Sequence, residues 1–245
     1  MLFRSKIPHL NDKRVRKALA MSINRQQLTD RVTKGGETPA FTFTPPDTFG
    51  YSARAAFEFN PKMARDLMRE AGYPNGEGFP VTELLYNTSE GHRKIAVAIQ
   101  QMWKKNLGIN ITLSNQDWKV YLDSVNNGSY AIARAGWIGD YVDPNTFLNM
   151  WITDGGNNRT GWSDPYYDDL ISQQAPVSLN KFDRYTIMAK AEAVLLENMP
   201  IIPIYIYNSK SLVHPSVKGI EPNILNYVLY KNIRLDSTLI EKEVD

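Results

Sequence analysis

The stretch VTELLYNTSEGHRKIAVAIQQMWKKNLGINITLSNQ, residues 81–116, changes its hydrophobic period twice. Residues 81–86 alternate as a half-buried strand does. Ser89 is placed to cap a helix running to Asn106, on which Ile95, Ile99, Met102 and Trp103 share one face. Gly108 supplies a stop, and INITLS (109–114) returns to period two. Strand, long helix, strand is the signature of an α/β layer architecture.

The flanks repeat this alternation. Towards the N-terminus, helices are expected over 12–20, capped by Asn11 or Asp12, over 24–32, closed by Gly35 and Gly36, and from Asn60-Pro61 to Gly72. The Pro-, Thr- and Phe-rich segment 38–59 reads as an ordered loop. Towards the C-terminus come a short helix over 118–125, a strand over 130–137, and helices over 165–173 and 179–199. The last of these aligns Phe182, Tyr185, Ala189, Ala193 and Leu196. PIIPIYIY (200–207) is an apolar strand that its prolines push to an edge or an end. From Asn208 short extended pieces follow without a helix between them. The chain therefore divides into an α/β lobe, 1–207, and a β-rich tail, 208–245.

Composition narrows the function. The 245 residues are 42% hydrophobic and 22% charged, as in soluble globular proteins. A net charge of +2, with both signs scattered, argues against nucleic-acid binding. No apolar run approaches the roughly 20 residues that cross a bilayer. The absence of cysteine removes disulfides, thiolate metal sites and cysteine nucleophiles. His9, His92 and His214 are far apart and show no metal spacing, so no metal or other cofactor is expected. GWSDP at Gly161 has proline where a nucleophile elbow needs glycine, and DPYYDD at a helix start is accounted for by the helix dipole. Nothing here advertises an enzyme. The aromatic load is heavy, with 13 Tyr, 5 Trp and 9 Phe. Trp103 is assigned to the core, whereas Trp151 and Trp162, in WITDGGNNRTGW, are candidates to line a cleft.

ARAGWIGDYVDPNTFL, residues 133–148, places Arg134, Trp137 and Asp140 at the mouth of a strand that needs none of them for its core. Structural readings stand beside a binding one. Arg134 could pair with Asp140 or Asp143, Trp137 could be core, Asp143-Pro144 could cap a helix, and His92 could be an exposed surface residue.

This segment resembles the oligopeptide-binding proteins of bacterial ABC importers, family 5 of the extracytoplasmic solute-binding proteins. The likeness extends to LNDKRVRKALAMSINRQQL, to YNTSEGHRKIAVAIQQMWKKNLGINITLSNQDWKVYLD and to PIIPIYIYNSKSLVHPSVKGI, in the family's order. The resemblance implies a periplasmic-binding-protein-like lobe of class II type, the C-terminal half of a longer protein whose N-terminal lobe is missing here. The tail would return to complete that lobe; without it, the tail is expected to be partly disordered or to pair its edges with another molecule. Short peptides would lie extended between two closing lobes, for delivery to an ABC permease in the membrane. The location implied is periplasmic or otherwise extracytoplasmic, with a lipid anchor as an option. Asp140 would take the peptide's α-ammonium, and the backbone of Gly136, Trp137 and Ile138 would meet its main chain. Trp137 would also flank a side-chain pocket, and Arg134 and His92 would meet the carboxylate end. In one departure, VNNG at Val125 lacks a basic residue that some oligopeptide receptors carry there. The alternatives are a peptide hydrolase using the same clamp, or a receptor for a muropeptide or a non-peptide ligand.

Overall fold

Residues 81–116 fold as strand, helix, strand, and the rest of the chain is arranged around them. The computed structural model describes residues 1–221, 223, 225 and 227–240. Its strands are β1 (Leu2–Phe3), β2 (Thr38–Pro39), β3 (Thr82–Asn87), β4 (Ile111–Gln116), β5 (Ile132–Ala133), β6 (Tyr205–Ile206), β7 (Val217–Lys218) and β8 (Arg234–Leu235). Its helices are α1 (Pro8–Asn11), α2 (Lys13–Met21), α3 (Arg25–Leu28), α4 (Pro61–Glu70), α5 (Glu90–Leu107), α6 (Trp118–Asn126), α7 (Asn145–Leu148), α8 (Pro165–Asp169), α9 (Lys181–Asn198) and α10 (Ser237–Ile240).

The main sheet has the order β1-β5-β3-β4. β3 is parallel to both β4 and β5, and β1 closes the other edge antiparallel to β5. Side-chain alternation sends neighbours to opposite faces. Leu84, Tyr86 and Ile132 enter one hydrophobic cluster with Ile95, Ile99 and Trp103 of α5 and with Leu19 of α2. Leu85 and Ala133 enter a second cluster with Tyr121 and Val125 of α6, Tyr167 of α8 and Leu195 of α9. Helices thus cover both faces, giving three layers. Trp103 is fully buried, and its indole N–H donates to Leu19 O at 2.9 Å, so it ties α5 to α2 as well as filling space.

Local signals account for most helix boundaries. The Asp12, Asn24, Asn60 and Asp164 side chains each accept a backbone N–H of the helix that follows. Ser89 stands at the expected cap of α5, but its hydroxyl makes no capping bond. Gly108 ends α5 in the left-handed conformation. The second helix closes at Lys34, not at the following glycines, after a π turn over Thr29–Thr33.

Four expectations need correction. The strand expected over 130–137 is regular only at β5; Arg134 N–H adds one bond to Leu85 O, 2.8 Å, and the chain then leaves the ladder although β3 runs on beside β4 to Asn87. On α9 the buried residues are Met188, Ala189, Ala191, Glu192, Leu195 and Leu196, so Ala189 and Leu196 of the expected stripe are core, while Phe182 in the first turn is 73% exposed. Trp151 is core, buried edge-on to Phe43, whereas Trp162, largely buried edge-on to Tyr167, borders a pocket with Ser5, Lys6 and Arg16 that lies away from residues 134–140. In the tail, strand structure among the described residues is confined to the β7–β8 pair, and Tyr227, Leu229, Tyr230 and Leu235 are exposed. Residues 241–245 of the tail lie outside the described residues.

Segment 38–59 is ordered, as expected, and two buried charges hold it. β2 pairs antiparallel with β6. Glu192, fully buried, accepts the N–H groups of Phe43 and Thr44, at 2.8 and 2.9 Å, and the Tyr51 hydroxyl at 2.7 Å. Arg25, equally buried, donates to the carbonyls of Ala20, Ile23 and Pro203 and lies 4.3 Å from the Phe57 ring centroid.

Candidate functional site

In open parallel sheets, ligands bind beyond the carboxyl ends of the strands, where neighbouring strands send their connections to opposite faces. β3 and β5 are such a pair here. β3 leads into α5 on one face, while the connection that leaves β5 runs into α7, whose Leu148 packs on the other. His92 follows the end of β3, and Arg134 to Asp140 follow the end of β5. The fold therefore brings both sequence-predicted segments to one rim.

Arg134 is half-buried. Its backbone is held on both sides, by Arg134 N–H to Leu85 O and by the Tyr121 hydroxyl, which donates to Arg134 O. Its guanidinium lies 5.7 Å from the Tyr207 ring centroid and interacts with the Tyr205 hydroxyl. Burial lowers its pKa, since a desolvated cation is disfavoured. Among the described residues Arg134 has no carboxylate partner. The alternative pairing with Asp143 does not form, because Asp143 is taken by Arg184 of α9 in a two-pronged bond of 2.7 and 2.8 Å. Burial alone would raise the Asp143 pKa, but the Arg184 hydrogen bonds hold it below the usual value.

Asp140 is exposed, and its carboxylate has no partner among the described residues. Its backbone N–H donates to Thr146 Oγ1 at 3.0 Å. Trp137 is half-buried against the second cluster, and its indole N–H donates to the Thr146 carbonyl at 3.0 Å. It is therefore neither a core strand residue nor free. Ile138 is 76% exposed and Gly136 is exposed. A Cβ on Gly136 would meet only the Tyr207 ring, at 3.5 Å, so its open side is clear for another backbone.

His92 is half-buried, with Nδ1 3.2 Å from Asn87 O. A carbonyl only accepts, so Nδ1 carries the proton and Nε2 is left as an acceptor. Burial, with the Arg134 charge second, lowers the His92 pKa and keeps the ring neutral near pH 7. Sequence reasoning missed Thr146, Tyr121, Tyr205 and Tyr207. Tyrosines in PIIPIYIY look like strand residues, and only their placement beside Arg134 marks them. Among the described residues no group of three or more His, Asp or Glu could hold a metal, and no helix is long and apolar enough to cross a membrane.

Known proteins share this fold. The periplasmic murein peptide-binding protein MppA of Escherichia coli is 40% identical over 225 residues, which is 89% of this chain and 42% of that protein. The crystal structure of the periplasmic oligopeptide-binding protein OppAIV of Borrelia burgdorferi superposes with a TM-score of 0.87 at 38% identity, covering 96% of this chain and 47% of that one. Haemophilus influenzae OppA in complex with the peptide RPPGFSPFR gives a TM-score of 0.85 at 33% identity, over 96% of this chain and 47% of that one. The chain thus spans less than half the length of these proteins, which are named as binding proteins, not enzymes. Residues 1–159 match the model for the middle region of family 5 of the bacterial extracellular solute-binding proteins, and the chain belongs to that family.

Proposed function

We propose that this chain forms one wall of a peptide-binding cleft in the receptor component of an ABC importer, and that it performs no catalysis. The observation that carries the reading is a pair of opposite charges left unspent. Arg134 and Asp140 stand at the carboxyl end of one strand, and neither makes an ion pair among the described residues. A free peptide is a zwitterion whose two termini match that pair. Asp140 takes the α-ammonium, Gly136 to Ile138 offer backbone groups to an extended main chain, and Trp137 flanks a side chain. Arg134 supplies the cation for the carboxylate end. A neutral His92 adds a polar acceptor beside it, not a second charge. Residues 1–207 make the binding lobe, and 208–245 form a return segment towards the rest of a longer protein. The peptide complex of the Haemophilus influenzae relative supports the ligand class. The family supports an extracytoplasmic location and delivery to a membrane permease.

A single wall leaves much of the ligand's charge hydrated, so the 245-residue chain alone should bind tri-alanine with a Kd on the order of millimolar. The test is an NMR titration of the chain with tri-alanine. Shifts confined to the amides of residues 134–140 and the start of α5, and lost in Asp140→Ala, are expected. Shifts elsewhere, micromolar affinity or cleavage of the peptide would refute the reading, cleavage in favour of a hydrolase.

A further inference from the structure

Asp140 sits in a segment with no regular structure, so something other than a sheet ladder must hold it in place. That support converges on one residue. Thr146, in α7, is 1% exposed and touches the 137–140 loop at three points. Its hydroxyl oxygen accepts Asp140 N–H at 3.0 Å, and its carbonyl accepts the Trp137 indole N–H at 3.0 Å. Its methyl group packs so close to Gly139 that a Cβ there would come within 3.1 Å of Thr146 Cγ2 and 3.2 Å of the Phe147 ring. Thr146 is anchored in turn: its N–H donates to Asp143 O at 3.2 Å, and the Asp143 carboxylate accepts Asn145 N–H at 2.9 Å and is gripped by Arg184.

Resting on the peptide reading above, we infer that Thr146 is a positioning residue that sets the Asp140 carboxylate for the ligand's α-ammonium, with the Arg184–Asp143 pair as its anchor. It touches no ligand itself. A single hydroxyl decides whether the Asp140 backbone is fastened, because the other two contacts hold Trp137 and Gly139. A side chain at Gly139 would press on the Thr146 methyl group and the Phe147 ring, which would have to give way by a few tenths of an ångström.

The test compares Thr146→Val, which keeps the shape and methyl group but removes the acceptor, with Thr146→Ser, which keeps the oxygen. Two readouts are taken on the 245-residue chain. The first needs no ligand: hydrogen exchange of the Asp140 amide should quicken by at least about 10-fold in Thr146→Val and stay near wild type in Thr146→Ser. The second is the ratio of affinities for tri-alanine and N-acetyl-tri-alanine. It should fall by about 10-fold in Thr146→Val and recover in Thr146→Ser, while the NMR signal of the Trp137 indole N–H stays unchanged. An unchanged Asp140 amide in Thr146→Val overturns the fastening, whatever the ligand does. A quickened amide with an intact preference, even at lowered thermal stability, makes Thr146 structural only and overturns the inference. Failure of the peptide reading looks different: Asp140→Asn would then leave the amino-terminal preference untouched, or wild type would show none.

Discussion

Arg25 and Glu192 lie in the helical layers on opposite faces of the sheet and solve the same problem with opposite charges. Each is fully buried, and neither has a counter-ion among the described residues. The cation gathers carbonyls, from Ala20, Ile23 and Pro203; the anion gathers N–H groups, from Phe43 and Thr44, and a hydroxyl from Tyr51. The difference lies in what each can release. A guanidinium remains charged: burial lowers the Arg25 pKa only to about 9. A carboxylate can take up a proton, and burial raises the Glu192 pKa despite its hydrogen bonds. Backbone dipoles thus serve as counter-charges, but only on the Glu192 side does pH control them. Both residues flank the β2–β6 pair, the wall that carries Tyr205 beside Arg134.

The largest effect should come from Arg25→Met. It leaves three buried carbonyls without this donor and should cost about 3–5 kcal/mol in urea unfolding. A loss under about 1 kcal/mol would mean that those carbonyls are satisfied without it. Glu192→Ala should cost less, about 2–3 kcal/mol, because losing three hydrogen bonds is partly offset by relief of a buried charge. If it cost more than Arg25→Met, the ranking of the two anchors would be reversed.

The third effect is one of sign. Because the Glu192 pKa is raised in the fold, its contribution is full below the unfolded value near 4.5 and declines as pH rises through the folded value. Glu192→Gln should remove that decline. Asp143, with a lowered pKa, behaves oppositely: its contribution is full above about 3.8 and fades as pH falls below it. Urea midpoints from pH 3 to 7 for wild type, Glu192→Gln and Asp143→Asn would show both slopes. A common sign would discard one assignment. Smallest is Arg184→Ala, worth at most about 1 kcal/mol globally because the pair is partly exposed, yet expected to speed exchange at Asn145 and Thr146. Exchange unchanged there would remove Arg184 from the support of the loop.

These anchors also mark where the sequence stops being readable. The change of hydrophobic period over 81–116 is a local property, even though β3 is covered on both faces, so strand, helix and Trp103 could be inferred directly. Caps such as Asn24 and Asn60 are equally local. Glu192 reads as an ordinary polar helix position, and its partners are 141 to 149 residues away. β5 leaves the sheet after two residues although β3 beside it continues to Asn87, and the apolar run 130–137 carries no mark of that stop. At the site, Asp140 and Trp137 stood out as costly residues in an odd place. Thr146, in DPNTFL, looked like any helix residue, because its role consists of contacts with a loop that must first be folded.

The edge strand β1 does more than close the sheet. Leu2 also bridges Ile201, Phe3 N–H donates to Pro200 O at 3.0 Å and Ile202 N–H donates to Met1 O at 2.8 Å. Residues 1–3 are therefore latched to β5 on one side and to residues 200–202 on the other. Two stretches far apart in sequence thus form one continuous backbone patch, and loosening either would be felt at β5, from which Arg134 leads.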